Sequence, residues 1–286
     1  MIYLLLSILS SSIIFITFKL SERFKTNLIK LITVNYLVAT ILGFSFNQHT
    51  VSFGILTSKW LPFALGIGFS FILMFFLIGY STQKSGVAVT TIASKMSMVF
   101  PVLFSMLYFS EKSGVLKISG LVLAAVAVFL SSYRPVNKSK GFLLFLLPIL
   151  IFIGSGITDS IVKYAQSNYI PNNISLLFSA VVFSTALVLG LSYNLFKQKS
   201  ISAGFSLAEI IGGTILGAAN FGSLYFFILA LNNSKLDSSI VFGLNNICIV
   251  LLSVLIGSVI FKEKLTKVNF AGIILALIAI LILMIY

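Results

Sequence analysis

Long apolar runs separated by short polar clusters set the plan of this chain. The runs cover approximately 2–20, 29–46, 60–80, 85–109, 114–132, 141–164, 173–194, 206–231, 237–261 and 267–285. Runs of this length cross a hydrocarbon core of about 30 Å as helices, and none shows the ten-residue alternation of an outer-membrane strand. The pattern therefore predicts ten transmembrane helices. The longest connections, near 47–59 and 195–205, are too short for an extramembrane domain. The first run, MIYLLLSILSSSIIFITFKL, has no basic leader and no small-residue cleavage site, so it reads as a span and not as a removable signal.

One run differs from the others. Ser85 to Ser110 carries a single charge, Lys95, about 15 Å in from the end near Lys84. An ammonium near the bilayer midplane costs about 3 kcal/mol on insertion scales. A chain keeps such a residue when it faces a wet cavity or a partner. Thr91 lies one helical turn before it and Ser94 directly before it, while Pro101 removes a donor and frees the Ser97 carbonyl. This helix is predicted to wall a central polar site.

Composition narrows the class. Of 286 residues 59% are hydrophobic and only 9% charged, and mean hydropathy is +1.13. Soluble domains carry about 25% charged residues. The formal net charge of +13 would suggest nucleic acid in a soluble protein. Here the basic residues flank spans, so they read as topology signals and lipid contacts, and no nucleic-acid partner is expected. The lone cysteine, Cys248, excludes an internal disulfide and a thiolate zinc cluster, and no metal site or cofactor is expected. The single histidine, His49, lies in a loop. The acids Glu22, Glu111, Asp159, Glu209, Asp237 and Glu263 are scattered, with no paired-carboxylate site and no nucleophile beside a base, so the chain does not read as an enzyme.

The connections give an orientation. Those after spans 1, 3, 5, 7 and 9 hold Lys19, Arg23, Lys25, Lys30, Lys84, Arg134, Lys138, Lys140, Lys197, Lys199, Lys262, Lys264 and Lys267. The other side holds Lys59, Lys112, Lys117, Lys163 and Lys235. The positive-inside rule puts the richer side in the cytoplasm and both termini outside.

The chain also repeats. FSEKSGVLKISGLVLAAVA at 109–127 aligns without gaps on FKEKLTKVNFAGIILALIA at 261–279, an offset of 152. Glu111 pairs with Glu263, Lys112 with Lys264 and Gly120 with Gly272, and Ala93-Ser94-Lys95 falls opposite Asn245-Asn246-Ile247. A weaker echo pairs Lys19 with Lys163. Residues 1–134 and 141–286 thus form two five-helix repeats. Five is odd, so the halves enter the membrane from opposite faces, an inverted repeat of the kind secondary transporters use. The expected fold is all-α, ten transmembrane helices in two inverted repeats around a central cavity.

Ten spans in two such repeats, with the short turns Ser110-Glu111-Lys112 and Lys262-Glu263-Lys264 between the fourth and fifth helix of each half, resemble the drug/metabolite transporter superfamily, in particular EamA-type permeases. The family often has glycine before the glutamate, where this chain has Ser110 and Lys262. The resemblance implies a multi-pass protein of a bacterial-type inner (plasma) membrane that moves small metabolites, and it implies cytoplasmic termini, against the loop count. It leaves the substrate open.

The polar residues inside spans are the site candidates. Lys95 offers a cation to a substrate carboxylate or phosphate, or serves as a structural charge. Asp159 on span 6, expected about 9–10 Å deeper than Lys95, is a charge partner, a proton-exchanging site, or an interfacial acid paired to Lys163. Small multidrug relatives exchange protons on a glutamate in their first helix, but span 1 here has no acid. Asn245 and Asn246 in span 9, Asn35 and Tyr36 in span 2, and Asn220 and Tyr225 in span 8 suit a polar substrate, and amides equally serve as glue between membrane helices. Gly212, Gly213, Gly217 and Gly222 in span 8 point to close helix packing. Glu111 and Glu263 are expected to fix their own turns by pairing with Lys112, Lys264 or Lys267. The partners implied are a small metabolite, the lipid bilayer and a proton. The leading expectation is a secondary transporter, an exporter of small polar or amphipathic metabolites; an importer of sugar- or nucleotide-like solutes and a non-transporting scaffold are the alternatives.

Overall fold

The computed structural model describes residues 1–47, 57–108, 114–133, 140–170, 174–197, 204–234 and 238–285. His49, the Ser110-Glu111-Lys112 turn, Arg134, Lys138, Lys199, Lys235 and Asp237 lie outside the described residues. Among the described residues eleven α-helices form: α1 (Ile2–Arg23), α2 (Leu28–Ser45), α3 (Leu61–Lys84), α4 (Val87–Met96), α5 (Val99–Tyr108), α6 (Val115–Ser132), α7 (Lys140–Tyr169), α8 (Ser175–Lys197), α9 (Leu207–Asn233), α10 (Ser238–Leu255) and α11 (Lys267–Ile285). A π-helical turn, Ile256–Ile260, extends α10. Ten segments are long and apolar enough to cross a membrane, α4 and α5 counting together as one, and they match the ten predicted runs. The architecture is that of a multi-pass membrane protein. Their outward faces stay apolar, as at Leu5, Leu9 and Ile13 on α1 and at Ile153, Ile157 and Ile161 on α7.

Small residues set which helices meet. α6 packs along α11 over Ala124, Ala127, Ala276 and Ala279, all fully buried. Gly272 allows the closest approach, because a β-carbon there would collide with the Ser131 backbone nitrogen. Asn269 fastens the same seam: its amide nitrogen donates to the carbonyls of Leu130 at 3.3 Å, Ser131 at 2.8 Å and Tyr133 at 2.8 Å. These carbonyls lie at the end of α6, where partners within the helix run out, although Leu130 also accepts from the Tyr133 amide at 3.2 Å. α2 lies between α8 and α9. Gly213 and Gly217 let α9 close on α2, since a β-carbon at Gly217 would stand 2.5 Å from the Asn35 carbonyl oxygen. The small-xxx-small spacing of span 8 is thus a packing device.

The remaining helices wrap these seams. α1 packs on α9 and α10, α3 on α7 and α8, and α4 on α7, α10 and α6. At one end α1 also packs on α3 and α4. Among the described residues the pairings of α7 with α9 and of α7 with α10 are slight or absent. The end where α1 and α3 close, near Glu22 and Lys84, is thus gathered by contacts of α1 with α3 and α4.

Charged groups hold the gathered end. Lys84 Nζ donates to Glu22 Oε1 at 2.8 Å, joining α3 to α1. Lys19 Nζ donates to the Gln83 carbonyl at 3.0 Å and stands 3.9 Å from Glu263 Oε1. Glu263 accepts from the Val87 amide at 2.7 Å and from the Ala88 amide at 3.4 Å. A carboxylate at these amides meets the positive end of the α4 dipole and satisfies donors that open a helix. Gly86, at φ +101°, makes room, because a β-carbon there would lie 2.8 Å from the carboxylate. This corrects the expected role of Glu263: it caps a helix of the other half and meets Lys19, rather than pairing with Lys264 or Lys267.

Candidate functional site

The fourth span is broken in its middle. α4 ends at Met96, Ser97 and Met98 form a turn, and α5 starts at Val99. Pro101 has no amide proton to offer the Ser97 carbonyl. That carbonyl instead accepts from the Phe100 amide at 3.0 Å, which tightens the chain into the turn. Lys95 consequently sits in the last turn of a short helix, where carbonyl dipoles favour a cation. Ser94 and Lys95 are half-buried, whereas Thr91 and Met96 are buried.

Asp159 approaches this break from α7. Ser97 Oγ lies 3.3 Å from Asp159 Oδ2 and donates to the Ser94 carbonyl at 2.6 Å. Lys95 and Asp159 are within electrostatic reach of each other, yet no ion pair closer than 4.0 Å joins them among the described residues. Asp159 meets α4 at Ser97, two residues past Lys95, so the expected separation of about 9–10 Å in depth overstates the gap. Asp159 keeps some exposed surface, although it lies deep among its neighbours. It lies on the side of α7 opposite the exposed Ile157 and Ile161, two residues away in either direction and thus about 200° around the helix. Its accessibility belongs to an inward face, shared with the buried Ser155 and the half-buried Lys163.

α10 supplies the third wall. Asn246 is buried, and its amide nitrogen lies 3.5 Å from Met98 Sδ in the α4–α5 turn. A thioether is a weak acceptor, so most of the hydrogen-bonding capacity of this amide is uncommitted. Asn245 is buried beside it, and its Oδ1 has no hydrogen-bond partner among the described residues. Thr91 Oγ1, one turn before Lys95, is likewise without a partner. Buried polar atoms are nearly always paired; these two lie on helices flanking the break, and Tyr36, Thr40, Ser132 and Ser253 carry others elsewhere.

Lys95, Ser94 and Thr91 on α4 thus stand between Asp159 of α7 and Asn245 and Asn246 of α10, two helices that each pack on α4. The other candidates do not join them. Asn220 Nδ2 donates to Asn35 Oδ1 at 3.2 Å across the α2–α9 seam, both amides being buried. With its amide oxygen and nitrogen exchanged, Asn35 would instead reach the Leu216 carbonyl at 3.2 Å, on the same helix pair. Tyr225 packs on Phe221 and on Phe46 at the end of α2, with ring centroids 5.4 Å and 5.1 Å away. Tyr36 is fully buried between Phe75 and Phe183, and its Oη has no partner among the described residues. Asn35 and Asn220 thus bind two helices to each other, and Tyr36 and Tyr225 sit in aromatic packing.

Ser97 and Met98 line the break as well, beyond the residues the sequence offered as binding candidates. Their signal was positional: they precede Pro101 by four and three residues, where a helix loses its regular bonding. Among the described residues no group of three His, Cys, Asp or Glu side chains could hold a metal ion.

Comparison with known proteins bears on extent and fold. A protein of Haemophilus influenzae, described as uncharacterized, is 26% identical over 284 residues, covering 97% of this chain and 95% of its own. A solved crystal structure shares the fold with a TM-score of 0.64 at 12% identity, covering 98% of this chain and 94% of that one. No protein-family model matches the sequence.

Proposed function

We propose that this chain is a secondary transporter of small polar or amphipathic metabolites, of the EamA type within the drug/metabolite transporter superfamily, and that it works by alternating access around Lys95. The observation that carries this reading is the cation and the carboxylate standing close but unjoined at a helix break, beside the unpartnered polar atoms of Thr91 and Asn245. A locked structural pair would have closed to hydrogen-bonding distance. In this reading a substrate carboxylate or phosphate meets Lys95, the asparagine amides take its polar groups, and Asp159 receives a substrate amine or a proton. Neighbouring broken-helix backbone is the usual setting for such sites at membrane depth.

Two features support inverted halves. Gly120 faces Ile282 and Leu283 while Gly272 faces Leu130 and Ser131, and each of these residues lies 152 positions from its counterpart. Reciprocal contacts of this form are the signature of a two-fold relation. The helix pairings also exchange in sets: α1 on α9 corresponds to α3 on α7, and α2 on α9 to α3 on α8. The exchange fails where α1 meets α3 and α4, at the gathered end. In this reading the Glu263–Lys19 and Glu22–Lys84 contacts close one end of the bundle in one of two alternating states.

The test is flux in reconstituted vesicles against labelled amino acids, sugars and nucleotides, with Lys95→Ala beside the wild type and folding followed by size exclusion. Movement of one class, abolished in a folded Lys95→Ala protein, supports the proposal and names the substrate; loading the label inside or outside separates export from import. Absence of flux for every class, with Lys95→Ala unchanged in stability, would leave the scaffold reading in its place.

A further inference from the structure

A recess of about 460 Å³ lies at the gathered end, between the close of α1 and the turn that follows α10. It is lined by Lys19, Glu22, Arg23, Ile260, Phe261 and Lys262. Three of these carry positive charge and one negative. The negative charge is already matched, because Glu22 holds Lys84 at 2.8 Å. Lys19 is committed to the Gln83 carbonyl and to Glu263. Arg23 and Lys262 remain: both are exposed, and neither has a hydrogen bond or ion pair among the described residues. Every described acid at this end is occupied, Glu209 by the Ser206 and Asn27 amides and Glu263 by the Val87 and Ala88 amides. The recess therefore carries uncompensated positive charge.

The surface beside Lys262 says what kind of anion fits. Beside it the surface turns apolar, with Val259 and Ile260 exposed by 70% and 64% at the end of a membrane-crossing segment. A ligand that spans this boundary has an anionic head and an apolar flank.

We infer that this recess is a binding site for a phosphate carried on a glycerol backbone, held by Arg23 and Lys262 with Lys19 behind them, and most completely filled by an anionic glycerophospholipid lying along Ile260. Guanidinium suits phosphate through its paired donors, and the ammonium adds a mobile point charge. Basic recesses between helix ends at the membrane surface take lipid headgroups in this way. The inference stands on the recess alone and holds whether or not the chain transports anything.

The test uses the full chain in nanodiscs of phosphatidylcholine with a minor fraction of phosphatidylglycerol, followed by detergent exchange and quantification of the lipid retained. The wild type is expected to retain phosphatidylglycerol preferentially, and Arg23→Gln with Lys262→Gln to lower that preference about tenfold. A control of equal charge loss, Lys264→Gln with Lys267→Gln, leaves the recess lining intact and is expected to retain the lipid. Equal loss in the control, or no loss in the recess variant, overturns the site in favour of diffuse attraction. Millimolar glycerol 3-phosphate and inorganic phosphate form the second arm, read by thermal unfolding in phosphatidylcholine alone. Stabilisation of the wild type and not of the recess variant, without preferential lipid retention, keeps the phosphate site and assigns it to a soluble ligand. Stabilisation of neither, together with no lipid preference, rejects it. The recess variant's own unfolding temperature in phosphatidylcholine shows whether it is folded.

Discussion

Two polar regions inside this bundle use the same residue types to different ends. At the α2–α9 seam, Asn35 and Asn220 face each other at 3.2 Å, next to glycines that bring the backbones together. At the α4–α7–α10 junction, Asn245 and Thr91 leave polar atoms without a partner, Asn246 meets only a thioether, and Lys95 stands near Asp159 without closing on it. A buried polar atom left unpaired costs about 1–3 kcal/mol. The first region avoids that cost by pairing protein with protein. The second leaves these atoms open, and in the proposed function water or substrate meets them. Amides inside a membrane therefore cannot be sorted into glue and binding site by identity; the sorting depends on whether the protein has already used their hydrogen bonds.

The comparison breaks most sharply at Lys95. Lys95→Ala is expected to lower flux about 100-fold, the scale of removing one partner from a desolvated charge contact, with the protein still folded. Asp159→Asn alone should abolish proton- or cation-driven accumulation while leaving downhill exchange measurable. If the two variants show a coupling of more than about 1 kcal/mol in unfolding, as directly bonded pairs do, the two charges are a lock and the junction resembles the α2–α9 seam after all.

Asparagine substitutions in the two regions should then move in opposite directions. Asn245→Leu removes an unpaired oxygen, so stability is expected to hold or rise by about 1 kcal/mol while flux falls about tenfold. Asn220→Leu breaks a made hydrogen bond, so stability is expected to fall by about 0.6–1.7 kcal/mol while flux stays within about twofold. Denaturant unfolding in mixed micelles and vesicle flux on the same preparations give both numbers. Parallel behaviour of the two variants would erase the distinction.

Much of this was legible in the sequence because the bilayer makes it so. A helix must be apolar along its length to cross, so the ten runs and the anomaly of Lys95 both read directly from residue order. Pro101 marked the freed Ser97 carbonyl, while the break of the span at Ser97 and Met98 shows only in the structure. The partition of the asparagines was not legible, because it depends on which distant helix each one faces: Asn35 and Asn220 are 185 positions apart, and no local pattern records that α2 lies against α9. Glu263 shows the same limit. The repeat marked its turn, yet its partners are Lys19 and the amides that open α4, more than 170 residues away. Local sequence carries helix boundaries and buried charges; rotation about the helix axis and contacts between halves arise only in the packed bundle.

Tyr36 is the residue that tests where one region ends and the other begins. Like Thr91 and Asn245 it carries a buried oxygen with no partner among the described residues, and like Asn35 it lies on α2, away from Lys95. Its ring is held between Phe75 at 5.5 Å and Phe183 at 6.2 Å, contacts that phenylalanine would keep. Tyr36→Phe is therefore expected to be the mildest change of the set, raising stability by about 1 kcal/mol through loss of an unpaired hydroxyl and leaving flux unchanged. A fall in flux with that gain in stability would mean that the hydroxyl is offered to a passing solute, and the polar path would then extend from the α4–α5 break across α3 to α2. A fall in stability would mean instead that the hydroxyl is satisfied within the bundle in the membrane, and Tyr36 would join Asn35 and Asn220 as part of the seam.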